Sequence, residues 1–220
     1  MADQTVIKLQ NVFLRHEDHL AYGPLNLKLE KGEGALVLVN DLGLMRRLMK
    51  CCLGTESPEA GLISWWLGAP DPGHGDCWSV YEFSRQIGYI DRLSQLLGAK
   101  TLMENLILYH LYAGNNNPVT LARRVLELFG LAGYENLRAD DLPEPQRRLA
   151  LYALAFCKKP RLMLVERPAQ FLDRDFDQVW DRVLKRAVDS GLSYIVFDRA
   201  RIPYNREHFT AVHAFSPGRL

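Results

Sequence analysis

The sequence predicts an α/β protein built on a mainly parallel β-sheet. Three continuous apolar runs carry that prediction: Ala35–Val39, Leu162–Val165 and Leu192–Phe197. A strand covered on both faces reads as an unbroken apolar run, and such strands belong to parallel sheets flanked by helices. The second observation is Asp173–Ser190. There Phe176, Val179, Trp180, Val183, Leu184, Ala187 and Val188 recur at three and four, the period of an amphipathic helix, with Gly191 as its stop. The third is a change of character in the middle of the chain. Thr101–Tyr112 and Val119–Phe129 read as helices separated by Gly114-Asn115-Asn116-Asn117-Pro118. Buried strands joined by helices make a layered α/β domain.

The remaining elements follow in chain order. Val6–Leu9 and Leu25–Leu29 alternate apolar and polar residues, as half-buried strands do. Lys31-Gly32-Glu33-Gly34 is a turn before the first buried run, and Leu44–Leu53 is a candidate helix ended by Gly54. Leu62–Leu67 and Trp78–Phe83 are strand candidates around a Pro/Gly-rich loop, Ala69–Asp76. A helix over Gln146–Cys157 leads into the second buried run. The stretch from about 91 to 140 reads as a helical subdomain inserted in the sheet of a single domain spanning residues 1–220.

Composition excludes several classes. With 220 residues, 48% of them hydrophobic and 24% charged, the chain is long and apolar enough for a core without metal or disulfide staples. A formal net charge of +1 gives no reason to expect a polybasic nucleic-acid binder. No apolar run approaches the roughly 20 residues of a membrane-spanning helix. Met1-Ala2-Asp3-Gln4 lacks the opening of a signal peptide, so a cytoplasmic location is expected. Cys51, Cys52, Cys77 and Cys157 have no paired spacing and read as buried thiols, with no metal expected.

Order and spacing of these elements resemble the nucleotide-binding subunit of ABC transporters over nearly the whole chain. Leu53–Trp65 (LGTESPEAGLISW) looks like the segment after that family's phosphate-loop helix. Arg85–Leu106 (RQIGYIDRLSQLLGAKTLMENL) looks like its Q-loop segment. Leu142–Asp173 (LPEPQRRLALYALAFCKKPRLMLVERPAQFLD) lines up without a gap on its signature and Walker B region, and the closing Gly218-Arg219-Leu220 resembles the family's C-terminal hairpin. The resemblance implies a P-loop NTPase-like fold, with an N-terminal antiparallel β subdomain and an inserted α-helical subdomain. It also implies dimers whose two composite sites join the phosphate loop of one subunit to the signature of the other.

The motif residues themselves depart from the pattern. A working phosphate loop reads GxxxxGK followed by Ser or Thr: glycines turn N–H groups toward phosphate, the lysine reaches its oxygens, and the hydroxyl holds magnesium. This chain has Val39-Asn40-Asp41-Leu42-Gly43-Leu44-Met45-Arg46-Arg47 there. Leu44 stands at a position that needs positive φ, Met45 replaces the lysine, and Asp41 brings a carboxylate to a phosphate site. The segment is either a core helix or a nucleotide cradle of another shape. By the same alignment the Q-loop glutamine is Arg92. The signature is Leu142-Pro143-Glu144-Pro145-Gln146, in which both prolines lack an N–H and Glu144 repels phosphate. Walker B ends in Glu166-Arg167, so Glu166 retains the capacity to hold a cation while Arg167 cannot serve as a base. The switch histidine is Arg199, after Asp198, and the adenine-stacking aromatic falls near Arg15 or His16.

Arg92, Arg167 and Arg199, with Arg46 and Arg47 nearby in the alignment, surround the former phosphate site. Either they bind an anion, or they pair with Glu166, Asp198, Asp41 and Asp91 and fill it. Three functions follow from the resemblance. The first is a non-hydrolysing pseudo-ATPase acting as a structural or regulatory part of a transport system, with no cofactor. Its partner would be an ABC permease or a second ABC subunit at the cytoplasmic membrane face, with a homodimer as a further form. The second is an atypical ATPase that binds ATP and magnesium and turns over slowly. The third is a soluble anion sensor using the arginines.

Overall fold

We describe the chain from a computed structural model, which defines residues 4–15, 21–67, 83, 85–90, 95–166, 174–199 and 206–218; the side chains of 174–177 and 206 lie outside this description. In chain order the elements are β1 (Thr5–Arg15), β2 (Ala21–Glu30), β3 (Gly34–Leu38), α1 (Leu42–Cys52), β4 (Ala60–Trp65) and β5 (Ile87–Ile90). They continue with α2 (Leu102–Tyr112), α3 (Pro118–Leu128), α4 (Glu144–Cys157), β6 (Leu162–Glu166), α5 (Arg174–Asp189), β7 (Ser193–Asp198) and β8 (Ala211–Ala214). The antiparallel sheet has the order β2-β1-β4, and the parallel sheet the order β5-β6-β7-β3-β8.

Strand alternation explains the unbroken apolar runs. Leu36, Met163, Val165, Tyr194 and Val196 face one core, shared with α2, α3, α4 and α5. Ala35, Val37, Leu162, Leu164, Ile195 and Phe197 face a second core, built with α1 and the antiparallel sheet. Each strand therefore needs apolar residues at every position. Helix α5 contributes Trp180, Val183, Leu184 and Ala187 to the first core, but Val188 is 40% exposed and ends the predicted apolar face early. The predicted helix stops hold: Gly54 and Gly191 take φ of +72° and +74°, a region where a Cβ is strained.

Local chemistry fixes the approach to α2. Thr101 caps it, accepting from Glu104 N–H at 3.1 Å while Glu104 accepts from Thr101 N–H at 2.8 Å. Asn105 is buried, and its amide both accepts from Leu97 N–H (2.8 Å) and donates to Leu97 O (3.1 Å) and Thr101 O (2.9 Å). The loop before the helix is thereby folded onto the helix.

Several sequence expectations change. Helix α1 begins at Leu42, two residues ahead of the expected Leu44, because Asp41 caps it. Strands β5 and β8 were not anticipated. Phe83, expected to end a strand, is helical, and Trp78–Glu82 lie outside the described residues. Cys51, Cys52 and Cys157 are buried thiols; burial pushes the Cys51 thiol up to about 11 and the other two higher still. Cys77 lies outside the described residues.

Candidate functional site

The carboxyl ends of β3, β6 and β7 meet the N-terminus of α1. Val39 N–H donates to Asp198 O at 2.8 Å, which ties the end of β3 to that of β7. Of the nine positions matched to the phosphate loop, Leu42 to Arg47 are helix, so the chain makes a helical turn where a cradle is expected. Gly43 has no positive φ, and Leu44 is helical, so the strain foreseen for a leucine there does not arise.

Asp41 sets this shape. Its Oδ1 accepts from Leu44 N–H at 2.7 Å, which satisfies a first-turn donor and places a carboxylate over the positive end of the helix. Asn40 is exposed, while Val39, Leu44 and Met45 are fully buried in the second core. The Met45 side chain thus packs between the sheets, away from any ligand. Beside Asn40 and Asp41 lies a cavity of about 410 Å³, bounded across by Tyr22, Phe215 and Pro217; none of its described lining residues is basic. Lacking an inward lysine and a hydroxyl, and with the Asp41 carboxylate on the Leu44 N–H, the residues present do not fit a magnesium-bound phosphate.

The two arginines of α1 are engaged. Arg46 Nε lies 3.5 Å from Glu166 Oε1, at the end of β6. Glu166 is buried, and its Oε2 has no hydrogen-bond partner among the described residues. Arg47 turns the other way: it donates to Arg15 O (2.6 Å) and Glu59 Oε1 (2.8 Å) and lies 3.6 Å from Glu56. The Glu59 hydrogen bond is the main reason its pKa is raised. Of the two positions proposed for an aromatic platform, Arg15 serves through its carbonyl, and His16 lies outside the described residues.

Strand alternation separates the other carboxylate. Glu166 shares a face with Leu162 and Leu164, toward α1, whereas Asp198 shares a face with Tyr194 and Val196, toward α4. Burial, then the charge of Asp198, pushes the Tyr152 hydroxyl of α4 up. Asp198 Oδ1 accepts from Arg199 N–H at 2.6 Å, and Arg199 itself is exposed. Arg92 and Arg167 lie outside the described residues, as does Asp91.

The signature position opens α4. Pro143 is its N-cap residue, with no side-chain cap, and Pro145 follows in the first turn. Glu144 hydrogen-bonds Arg147 and Arg148, the latter at 2.7 Å, and those bonds hold its pKa below the usual carboxylate range. Gln146 is half-buried. The helix end is covered by its own acid and two prolines.

No family model matches the chain. Among curated proteins it is similar to the phosphonates import ATP-binding protein PhnC of Alcaligenes faecalis, 32% identical over 184 residues, covering 78% of this chain and 66% of that one. It is also similar to the cytochrome c biogenesis ATP-binding export protein CcmA of Sodalis glossinidius, 23% identical over 198 residues and 90% of each chain. Among solved structures, cbiO1 from Clostridium perfringens, part of the ABC transporter complex cbiONQ, superposes with a TM-score of 0.76 at 15% identity, covering 97% of this chain and 85% of that one. The ATP binding subunit of another ABC transporter gives 0.74 at 17%, covering 98% and 88%. At these identities the structural likeness establishes the fold, and the curated relatives establish the kind of subunit.

Proposed function

The chain belongs to the nucleotide-binding subunit family of ABC transporters, and on that premise we propose that it is a non-hydrolysing member, a structural or regulatory part of a membrane transport system. The observation that carries this reading is the closed α1 N-terminus: Asp41 takes the Leu44 N–H and Met45 is buried in the core. A homodimer then has no working composite site, since the signature end of α4 is altered as well. A heterodimer with an intact ATPase would have two sites, each with one altered half. Loss of the general base alone costs roughly 10²–10⁴ in rate, and loss of the phosphate cradle removes binding too.

The partner in this reading is a permease, or a second ABC subunit, at the cytoplasmic membrane face. No helix among the described residues is long and apolar enough to cross a membrane. Helix α2 exposes Leu108, Leu111 and Tyr112 along one side, an apolar strip suited to a protein contact. Co-purification from the native host is expected to recover a permease or a second ABC subunit, and Leu108→Asp with Leu111→Asp to lose it.

One observation favours a rival. Glu166 Oε2 is buried and has no hydrogen-bond partner among the described residues, as a cation ligand would be, and that observation favours an atypical ATPase of slow turnover. Arg46 and Arg47 meet carboxylates, Arg199 is exposed, and Arg92 and Arg167 lie outside the described residues, so among the described residues no observation favours the anion sensor. The deciding experiment is magnesium-dependent ATP turnover with equilibrium nucleotide binding on purified protein. Neither should exceed background. Turnover that vanishes in a folded Arg46→Ala variant would overturn the proposal.

A further inference from the structure

The opposite edge of the parallel sheet, where its strands begin, holds a cleft of about 710 Å³. That is within the roughly 300–1,000 Å³ of small-molecule sites. Lys31, Lys159 and Arg161 line it, and no carboxylate does among the described residues. None of the three has an ion pair among those residues, although the whole chain is nearly neutral at +1. Their backbones are fixed. Lys31 N–H donates to Gln4 O (2.9 Å), and Arg161 N–H donates to Gln86 O (2.8 Å) while its carbonyl accepts from Ser193 N–H (3.1 Å). Lys159 holds a left-handed φ of +49°, a conformation that a glycine would adopt more easily, so its side chain is the reason to look for a use there.

A plainer account is that these cations answer helix dipoles, since α4 and α5 both end at this cleft. Each helix C-terminus carries about half a negative charge, so two ends offset about one of three positive charges. About two remain. The floor is apolar, with Val6, Phe156 and Leu192, and at the rim Trp66 leaves 45% of its surface exposed.

We propose that this cleft binds a small phosphorylated molecule with an apolar body, at a site separate from the nucleotide edge. The phosphate dianion matches the uncompensated charge of Lys31, Lys159 and Arg161, with charge-assisted contacts of about 2.7–2.9 Å. Trp66 and the apolar floor take the organic part. The assignment does not rest on whether the protein hydrolyses ATP.

The test is calorimetric titration of the full chain, at constant ionic strength, with inorganic phosphate and with phenyl phosphate. Both should bind saturably, phenyl phosphate more tightly. Lys31→Ala with Arg161→Ala should weaken both at least tenfold, while Trp66→Ala should erase only the difference between them. Arg46→Ala, on the far edge, should leave both unchanged. Overturning results are absence of saturable binding, binding indifferent to the Lys31/Arg161 pair, or binding only to anionic lipid vesicles and to neither soluble probe. Lys31→Ala and Arg161→Ala break no ion pair among the described residues, and the fold of every variant, Trp66→Ala and the less stable Arg46→Ala included, is checked by circular dichroism.

Discussion

The two edges of the parallel sheet carry similar charges and use them in opposite ways. At the carboxyl edge Arg46 meets Glu166 and Arg47 meets Glu59, while Asp41 closes the helix that would otherwise face a ligand. At the amino edge Lys31, Lys159 and Arg161 surround a cleft that offers them no carboxylate among the described residues. A basic residue is therefore informative only together with its partners. Where the fold resembles a phosphate site, Arg46 and Arg47 meet carboxylates of the protein itself, and where no resemblance points, the three cations meet none among the described residues.

The strongest way to break this comparison is to restore the family residue. Met45→Lys puts an ammonium group at a position with no solvent exposure, inside the core shared by α1 and the two sheets. We expect a loss of at least about 3 kcal/mol in urea unfolding, and no gain of nucleotide binding. A Met45→Lys protein of unchanged stability that binds ATP would mean that the side chain reaches a phosphate cradle after all.

A smaller effect sharpens the contrast. Arg46→Ala leaves the buried Glu166 carboxylate unpaired. Breaking a fully buried pair costs about 3–5 kcal/mol; Arg46 is one third exposed and 3.5 Å away, so about 2 kcal/mol is expected. Lys31→Ala removes a cation whose side chain has no ion pair among the described residues, and its stability should stay within about 0.5 kcal/mol of the parent. Equal losses in the two variants would erase the difference between the edges. Asp41→Ala falls between them at about 1 kcal/mol, the usual worth of an N-cap, read from the same unfolding curves.

Strands β3, β6 and β7 were legible because burial on both faces leaves a continuous apolar signal, and α5 because its apolar residues recur at helical spacing. Strand β5 was not: Ile87-Gly88-Tyr89-Ile90 is four residues with a glycine, too short for any period to register. The start of α1 was misplaced because Asp41 was weighed against phosphate and not as a cap. In the site, the Arg46–Glu166 pairing was among the sequence-derived alternatives. The Arg47–Glu59 pairing was not, since it depends on where the turn into β4 returns the chain. The amino-edge cleft left no sequence signal at all. Lys31, Lys159 and Arg161 come from three separate connections, and only the parallel sheet brings them to one edge.

A further small effect concerns acid, near that same edge. His110 is buried at the end of α2, beside a second cleft lined by Arg124, Glu127, Lys159 and Arg186. The Asn115 amide donates to Cys157 O at 2.8 Å, which orients its nitrogen toward His110 Nδ1 at 3.2 Å. Nδ1 therefore accepts, and the ring is neutral. Burial, then the Lys159 charge, lowers the His110 pKa from 6.5, outweighing the carbonyls of Cys157 and Leu121 that favour the cation. His213, on β8, is lowered by burial as well. For both, the unfolded chain binds more protons than the folded one below pH 6.5, so their stabilising effect is complete above that value and is lost as pH falls toward the lowered folded pKa. Each histidine then accounts for at most about 0.7 kcal/mol between pH 7 and pH 6. His110→Gln should remove one share of the pH slope whatever it does to absolute stability. Lys159→Ala should flatten the slope slightly by letting the His110 pKa rise. A slope unaffected by His110→Gln would show that the folded protein does not lower the His110 pKa, with Glu127 across the cleft outweighing burial and the Lys159 charge.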